Sequence, residues 1–128
     1  MHVGIFEDDV AIQEMLLLLL KDEGYVVTNY SEARECLQAL TPVTDRVHSP
    51  IDLLIIDWRL GSSVFGTDVI KQIRKNTVLN TLPIILTTAA TFNDVEALNH
   101  LHVTLLEKPF SVDDMMLLIE NLLLANRV

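Results

Sequence analysis

Short apolar runs alternate with longer amphipathic stretches along this chain. Residues 3–6, 25–29, 53–56, 84–87 and 103–106 are compact, aliphatic and bounded by turn-forming or charged residues, the pattern of strands. The run at 53–56 is wholly apolar between Asp52 and Asp57, as a central strand covered on both faces would be. Between the runs the period changes to that of helices. These are predicted over residues 10–23, closed by Gly24; from an N-cap at Ser31 to residue 40, stopped by Thr41-Pro42; over 67–75; over 93–100; and from a cap at Ser111, with Asp114 three positions on, to residue 126. Five strands alternating with five helices predict an α/β fold with a parallel sheet and right-handed crossovers.

In doubly wound sheets ligands bind beyond the carboxyl ends of the strands, where the strand order reverses. For a flavodoxin-like (βα)5 sheet of order 2-1-3-4-5, strands one and three flank that reversal. The first strand ends in Glu7-Asp8-Asp9, the third in Asp57, the fourth in Thr88-Ala89-Ala90 and the fifth in Lys108-Pro109. Carboxylates crowded at one edge raise one another's pKa or recruit a cation, and hard oxygen ligands suit Mg²⁺. A carboxylate is also a competent nucleophile for phosphoryl transfer, provided the equatorial oxygens are neutralised. Each residue alone has a plainer use: Asp8 or Asp9 serves equally as a helix N-cap, Thr88 as a β-branched strand end and Lys108 as a solvated loop lysine.

Composition narrows the function. The 128 residues are half hydrophobic, enough for a single domain spanning residues 1–128. A net charge of −9 argues against direct nucleic-acid binding, and the densest basic group, Lys71, Arg74 and Lys75, reads as a solvated helix face. One cysteine, Cys36, excludes an internal disulfide and favours a reducing compartment. The densest apolar run, residues 15–20, is too short to span a membrane, so a cytoplasmic location is expected. The histidines, His2, His48, His100 and His102, lack metal-ligand spacing and are expected at the surface.

In the order and spacing of Glu7-Asp8, Asp57 in IDLLIIDWRL, Thr88-Ala89 after LPIILT, and Lys108-Pro109-Phe110, nearly the whole chain resembles the receiver domain of two-component response regulators. The resemblance implies that Asp57 accepts a phosphoryl group from a histidine kinase or phosphotransfer protein. It implies Mg²⁺ held by Asp8, Asp57 and the backbone carbonyl of Arg59, with Glu7 acting through water. Thr88, Lys108 and Ala89 then match the positions that bind the new phosphate and switch the conformation. Catalysis would be confined to the domain's own modification, so no turnover enzyme is expected. Competing readings are a pseudo-receiver interaction module that is not phosphorylated, a Mg²⁺-dependent phosphohydrolase, which would want a second acid where Arg59 stands, and a nucleotide binder, which the acidic first loop opposes.

The chain also departs from the family. The loop from Leu60 to Gly66 is slightly longer than usual and lacks the customary proline; Gly61 and Gly66 are expected to supply unusual backbone angles there. Leu105 stands where an aromatic switch residue is common, and the stretch from Thr88 to Lys108 is slightly short. Arg59 and Ala90 occupy positions that govern self-dephosphorylation in the family, and neither suits the positioning of an attacking water, so a long-lived phosphoaspartate is expected. The first and last helices carry more leucine and methionine than one buried stripe requires, which predicts a homodimer or a neighbouring effector domain.

Overall fold

The sheet is built from the apolar runs in the expected order. The computed structural model describes residues 1–40, 49–61, 64–89, 96–98 and 100–125. Five parallel strands, β1 (His2–Phe6), β2 (Val26–Asn29), β3 (Leu53–Asp57), β4 (Ile84–Thr88) and β5 (Thr104–Glu107), lie in the order β2-β1-β3-β4-β5. The register sets Ile5 beside Ile55, Ile55 beside Ile85, and Asp57 beside Thr87. The four α-helices among the described residues are α1 (Val10–Asp22), α2 (Ala33–Leu40), α3 (Gly66–Arg74) and α4 (Val112–Ala125).

Strand alternation divides the core in two. Val3, Ile5, Leu53, Ile55 and Ile85 pack with Leu16 and Leu20 of α1 and Met115, Ile119 and Leu123 of α4. Phe6, Leu54, Ile56, Ile84 and Leu86 face the other way, onto Cys36 and Leu40 of α2 and Val69, Ile70 and Ile73 of α3. Each covered strand therefore reads as an unbroken apolar run, because both of its faces are buried.

Local chemistry explains most helix ends. Asp9 caps α1, its Oδ1 accepting from the Ala11 and Ile12 N–H groups at 2.9 and 3.2 Å. At the other end the Gly24 N–H donates to the Lys21 carbonyl and the Tyr25 N–H to the Leu20 carbonyl, the paired bonds of a Schellman stop. The Ser111 hydroxyl caps α4 by accepting from the Asp114 N–H at 3.0 Å.

Other expectations change. Ser31 does not cap α2: the helix starts at Ala33, and the Ser31 hydroxyl donates to Glu35 Oε2 at 3.2 Å. Of the fourth helix expected over 93–100, the described part is a single 3₁₀ turn, Glu96–Leu98; residues 93–95 and 99 lie outside the described residues, as do Thr41-Pro42, His48 and Asn126. Leu98 and Leu101 from this segment are buried in the α2/α3 core, so a short connection still plugs that face.

Arg74 is not part of a solvated face. Half-buried at the end of α3, it donates through Nη1 to the Leu79 carbonyl (2.6 Å), through Nε to the Leu101 carbonyl (2.8 Å) and through Nη2 to the His102 carbonyl (3.1 Å). Its guanidinium fork ties the α3 exit to the chain entering β5, and burial lowers its pKa. His2 is also only partly exposed, its Nε2 lying 2.6 Å from Thr28 Oγ1.

Candidate phosphoacceptor site

Four polar residues continue the α1/α4 face beyond the apolar part of the strands. By the two-residue period of a strand, Glu7 follows Ile5, Asp57 follows Ile55, Thr87 follows Ile85 and Lys108 follows Leu106. The sheet ladder carries past the strand ends to hold them: the Trp58 N–H donates to the Thr87 carbonyl at 2.8 Å and the Lys108 N–H to the Thr88 carbonyl at 2.7 Å. The Lys108–Pro109 peptide is cis.

Lys108 joins the acids. Its Nζ lies 2.8 Å from Glu7 Oε1 and 3.1 Å from Asp57 Oδ2, and the Glu7 side chain is wholly covered. Burial pushes the Glu7 carboxyl up, the Lys108 hydrogen bond pulls it back and the Asp57 charge pushes it up again, leaving it at about 7. Burial also pulls on the Lys108 ammonium, but its hydrogen bonds and attraction to Glu7 and Asp57 prevail and raise it above the ordinary lysine value. The lysine therefore remains charged as the counter-ion of the crevice.

The loop after β3 is a small hairpin. Arg59 and Phe65 form an antiparallel bridge, flanked by hydrogen bonds from the Leu60 N–H to the Val64 carbonyl (2.9 Å) and from the Gly66 N–H to the Trp58 carbonyl (2.6 Å). Those bonds make Arg59 and Phe65 a non-hydrogen-bonded pair, so the N–H and C=O of Arg59 both face away from Phe65. The N–H reaches Asp57 Oδ1 at 3.3 Å, which places the Arg59 carbonyl on the side of the ribbon that faces the Asp57 carboxylate. Trp58 packs on Phe65 with ring centroids 5.6 Å apart, and the Arg59 guanidinium lies 5.8 Å from the Trp58 ring centre.

Gly66 permits this closure for a reason other than backbone angle. A Cβ there would run into the Asp57 carbonyl oxygen, so only glycine lets α3 start this close to the Asp57 peptide. Gly61, at φ +121°, is the loop glycine that takes an unusual angle.

Among the expected site residues, Glu7, Asp57 and Lys108 are in direct contact, and Arg59 joins through its backbone. Asp8 is exposed at the same edge but stands apart from the Lys108 cluster; with Asp9 committed to capping, it is the acid of the pair whose carboxylate is not spent on the helix. Thr88 does not point into the crevice. It is buried on the α2/α3 face, and its hydroxyl makes no hydrogen bond to a described residue. Ala89 is exposed beside a cleft of about 410 Å³ lined also by Asp9, Ile12, Met15, Lys108 and Phe110. Thr87, which the sequence offered only as a strand residue, donates its hydroxyl to Glu7 Oε2 at 3.3 Å. Its signal in the sequence is a second polar residue, beside Thr88, at the end of an aliphatic run. Leu105 lies partly exposed on the edge strand β5, and Ala90 is outside the described residues.

A metal fits the donor chemistry more readily than the present grouping. Carboxylates of Asp8 and Asp57 and the Arg59 carbonyl are hard oxygen donors of the kind Mg²⁺ takes. Among the described residues no three acidic, histidine or cysteine side chains are gathered closely enough to hold an ion, because Lys108 lies between Glu7 and Asp57 while Asp8 stands outside.

Comparison with known proteins agrees with this geometry. The family model described as response regulator receiver domain matches residues 3–120. A protein named as an NtrX-like response regulator from Rickettsia typhi is 29% identical over 121 residues, covering 94% of this chain and 24% of its own length. The chain thus spans about a quarter of the curated relatives it matches. A response regulator receiver protein from Pseudomonas putida is 27% identical with a TM-score of 0.75, covering 94% of this chain and 95% of that one. NtrX from Brucella abortus is 25% identical with a TM-score of 0.80, covering 98% of this chain and 27% of that one.

Proposed function

On the premise that the chain belongs to the response regulator receiver domain family of two-component signalling, we propose that Asp57 is its phosphoacceptor and Lys108 the cation that binds the product. The observation that carries the assignment is Lys108 Nζ shared between Glu7 and Asp57 at the point where the strand order reverses. An Asp57 carboxylate oxygen attacks the phosphorus of a phosphohistidine on a histidine kinase or phosphotransfer protein. The O–P bond forms as the P–N bond breaks, and the imidazole leaves. Lys108 moves from the carboxylates to the phosphoryl oxygens, a charge-assisted contact. Asp8, Asp57 and the Arg59 carbonyl would hold Mg²⁺, with Glu7 acting through water, and the ion would supply further positive charge at this edge. The Thr88 hydroxyl, free of described partners, turns inward to bond the phosphate, and Ala89 moves with it as the switch.

Acetyl phosphate with Mg²⁺ tests this directly. Intact-protein mass should rise by one phosphoryl group in the native chain and not in Asp57→Asn. An unmodified native chain would sink the proposal and leave an interaction module.

Several finer properties follow from the same reading. The Arg59 guanidinium lies over the Trp58 ring and has no acceptor with which to position a hydrolytic water, which supports a long-lived phosphoaspartate. Rapid loss of the added mass after donor removal would contradict this. Leu18, Leu117 and Leu124 are exposed on α1 and α4, giving apolar contact area to a second copy or an effector domain. The domain acts in the cytoplasm, is no turnover enzyme and makes no direct nucleic-acid contact. Among the described residues, no helix is long and apolar enough to cross a membrane.

A further inference from the structure

Glu7 has its two oxygens provided for very differently. Oε1 accepts from Lys108 Nζ at 2.8 Å and from the Asp9 N–H at 3.3 Å. Oε2 has one partner among the described residues, the Thr87 hydroxyl at 3.3 Å. That contact joins β1 to β4, which are not neighbours: the Glu7 side chain crosses the position of β3 to reach it. Thr87 has no exposure, and its β3 partner in register is Asp57 itself.

A hydroxyl in such a place is not neutral. Valine has the same shape, suits a strand as well and carries no group that needs a partner in a buried site. The Thr87 hydroxyl has one role on view, to hold a carboxylate that water does not reach. A carboxylate withdrawn from water needs donors at both oxygens to keep its charge and orientation. Residues that orient metal-associated groups through such bonds matter for affinity nearly as much as the ligands do.

We propose that Thr87 is a positioning residue for the acidic crevice: its hydroxyl anchors Glu7 Oε2, so that the carboxylate lies across β3 with Oε1 at Lys108 and its remaining lone pairs available to a metal-bound water. The role rests on the reading of this crevice as a Mg²⁺-dependent phosphoacceptor site. It separates adjacent threonines by task, Thr87 serving the unmodified site and Thr88 the phosphorylated one.

Trp58, next to Asp57, reports Mg²⁺ by its fluorescence in the whole chain. The variants are Thr87→Val, Thr87→Ser, Glu7→Gln and the Glu7→Gln/Thr87→Val pair, each checked for folding in EDTA by thermal melting. Thr87→Val should weaken Mg²⁺ about tenfold, Thr87→Ser should restore it to within about twofold, and the valine should add nothing once Glu7 is glutamine. Loss of the fold by the valine chain moves the test to Thr87→Ser against Thr87→Ala, with the same expected split. Native affinity in Thr87→Val, or an equal loss in the Glu7→Gln background, overturns the role while leaving the phosphoacceptor reading intact. A folded native chain with no Mg²⁺ response overturns that reading, and the role with it.

Discussion

Thr87 and Thr88 are consecutive in β4, both buried, and face opposite sides of the sheet. Thr87 continues the α1/α4 face and bonds Glu7; Thr88 continues the α2/α3 face and bonds nothing described. The same contrast holds for the two faces as wholes. The α1/α4 face ends in an ionic cluster whose members neutralise one another, whereas the α2/α3 face ends in Thr88 and the Trp58–Phe65 ring pair. One face thus ends in paired charges, and the other in a hydroxyl without a described partner. A parallel strand buried on both sides can serve both purposes with adjacent residues, since its period is two.

The contrast can be broken by substitution. The largest effect is expected at Gly66→Ala, where the new methyl meets the Asp57 carbonyl and the α2/α3 side must shift as a unit; urea unfolding should show a loss of about 3 kcal/mol. Arg74→Met should cost about 2 kcal/mol by the same measurement, because the carbonyls of Leu79, Leu101 and His102 lose a shared donor. Thr87→Val should cost about 2 kcal/mol in EDTA, as a buried acceptor loses the one donor to Oε2 among the described residues. Thr88→Val should change stability by less than about 0.5 kcal/mol. Its effect should appear instead as a smaller Trp58 response to beryllofluoride. Equal stability losses for the two valines would end the division of labour.

The smallest effect concerns the α2/α3 interior at neutral pH. Burial, with the Glu35 charge, pushes the Cys36 thiol up to about 12 from an ordinary 9.0, and burial with neighbouring Cys36 and Glu35 pushes Tyr30 to about 12 from 10.0. Both groups fold in the protonated form. Their contribution is complete below the unfolded values and is lost as pH rises toward 12, so these two groups add no pH dependence near pH 7, and thermal stability should fall above about pH 9. Correspondingly, Cys36 in the folded chain should react with a disulfide reagent at pH 8 far more slowly than in denaturant.

Much of this was legible in one dimension. The strands were readable because each is an aliphatic run, and Asp57 because a carboxylate directly follows the most apolar of them. Lys108 was readable by position, at the end of the last strand. Arg74 was misread because a basic residue near other basic residues looks solvated, while its partners are backbone carbonyls five to twenty-eight residues away. Ser31 was misread because a hydroxyl before a helical stretch has two uses, capping or bonding a side chain one turn on. Of the fourth predicted helix only Glu96–Leu98 is described, as a 3₁₀ turn, because short apolar spacing fits a 3₁₀ turn as well as a helix.

The sequence by itself determined the alternation of elements, the sheet's two-sided burial and the kinds of side chain at its carboxyl edge. These are local properties, carried by hydrophobic period and turn chemistry. Only the tertiary structure decided that Asp9 caps while Asp8 stands free, that Gly66 must be small because Asp57's carbonyl is beside it, and that Thr87 serves Glu7 while Thr88 does not. Those assignments depend on which strands become neighbours and in what register, and the contact between Thr87 and Glu7 spans eighty positions of chain that no local pattern connects.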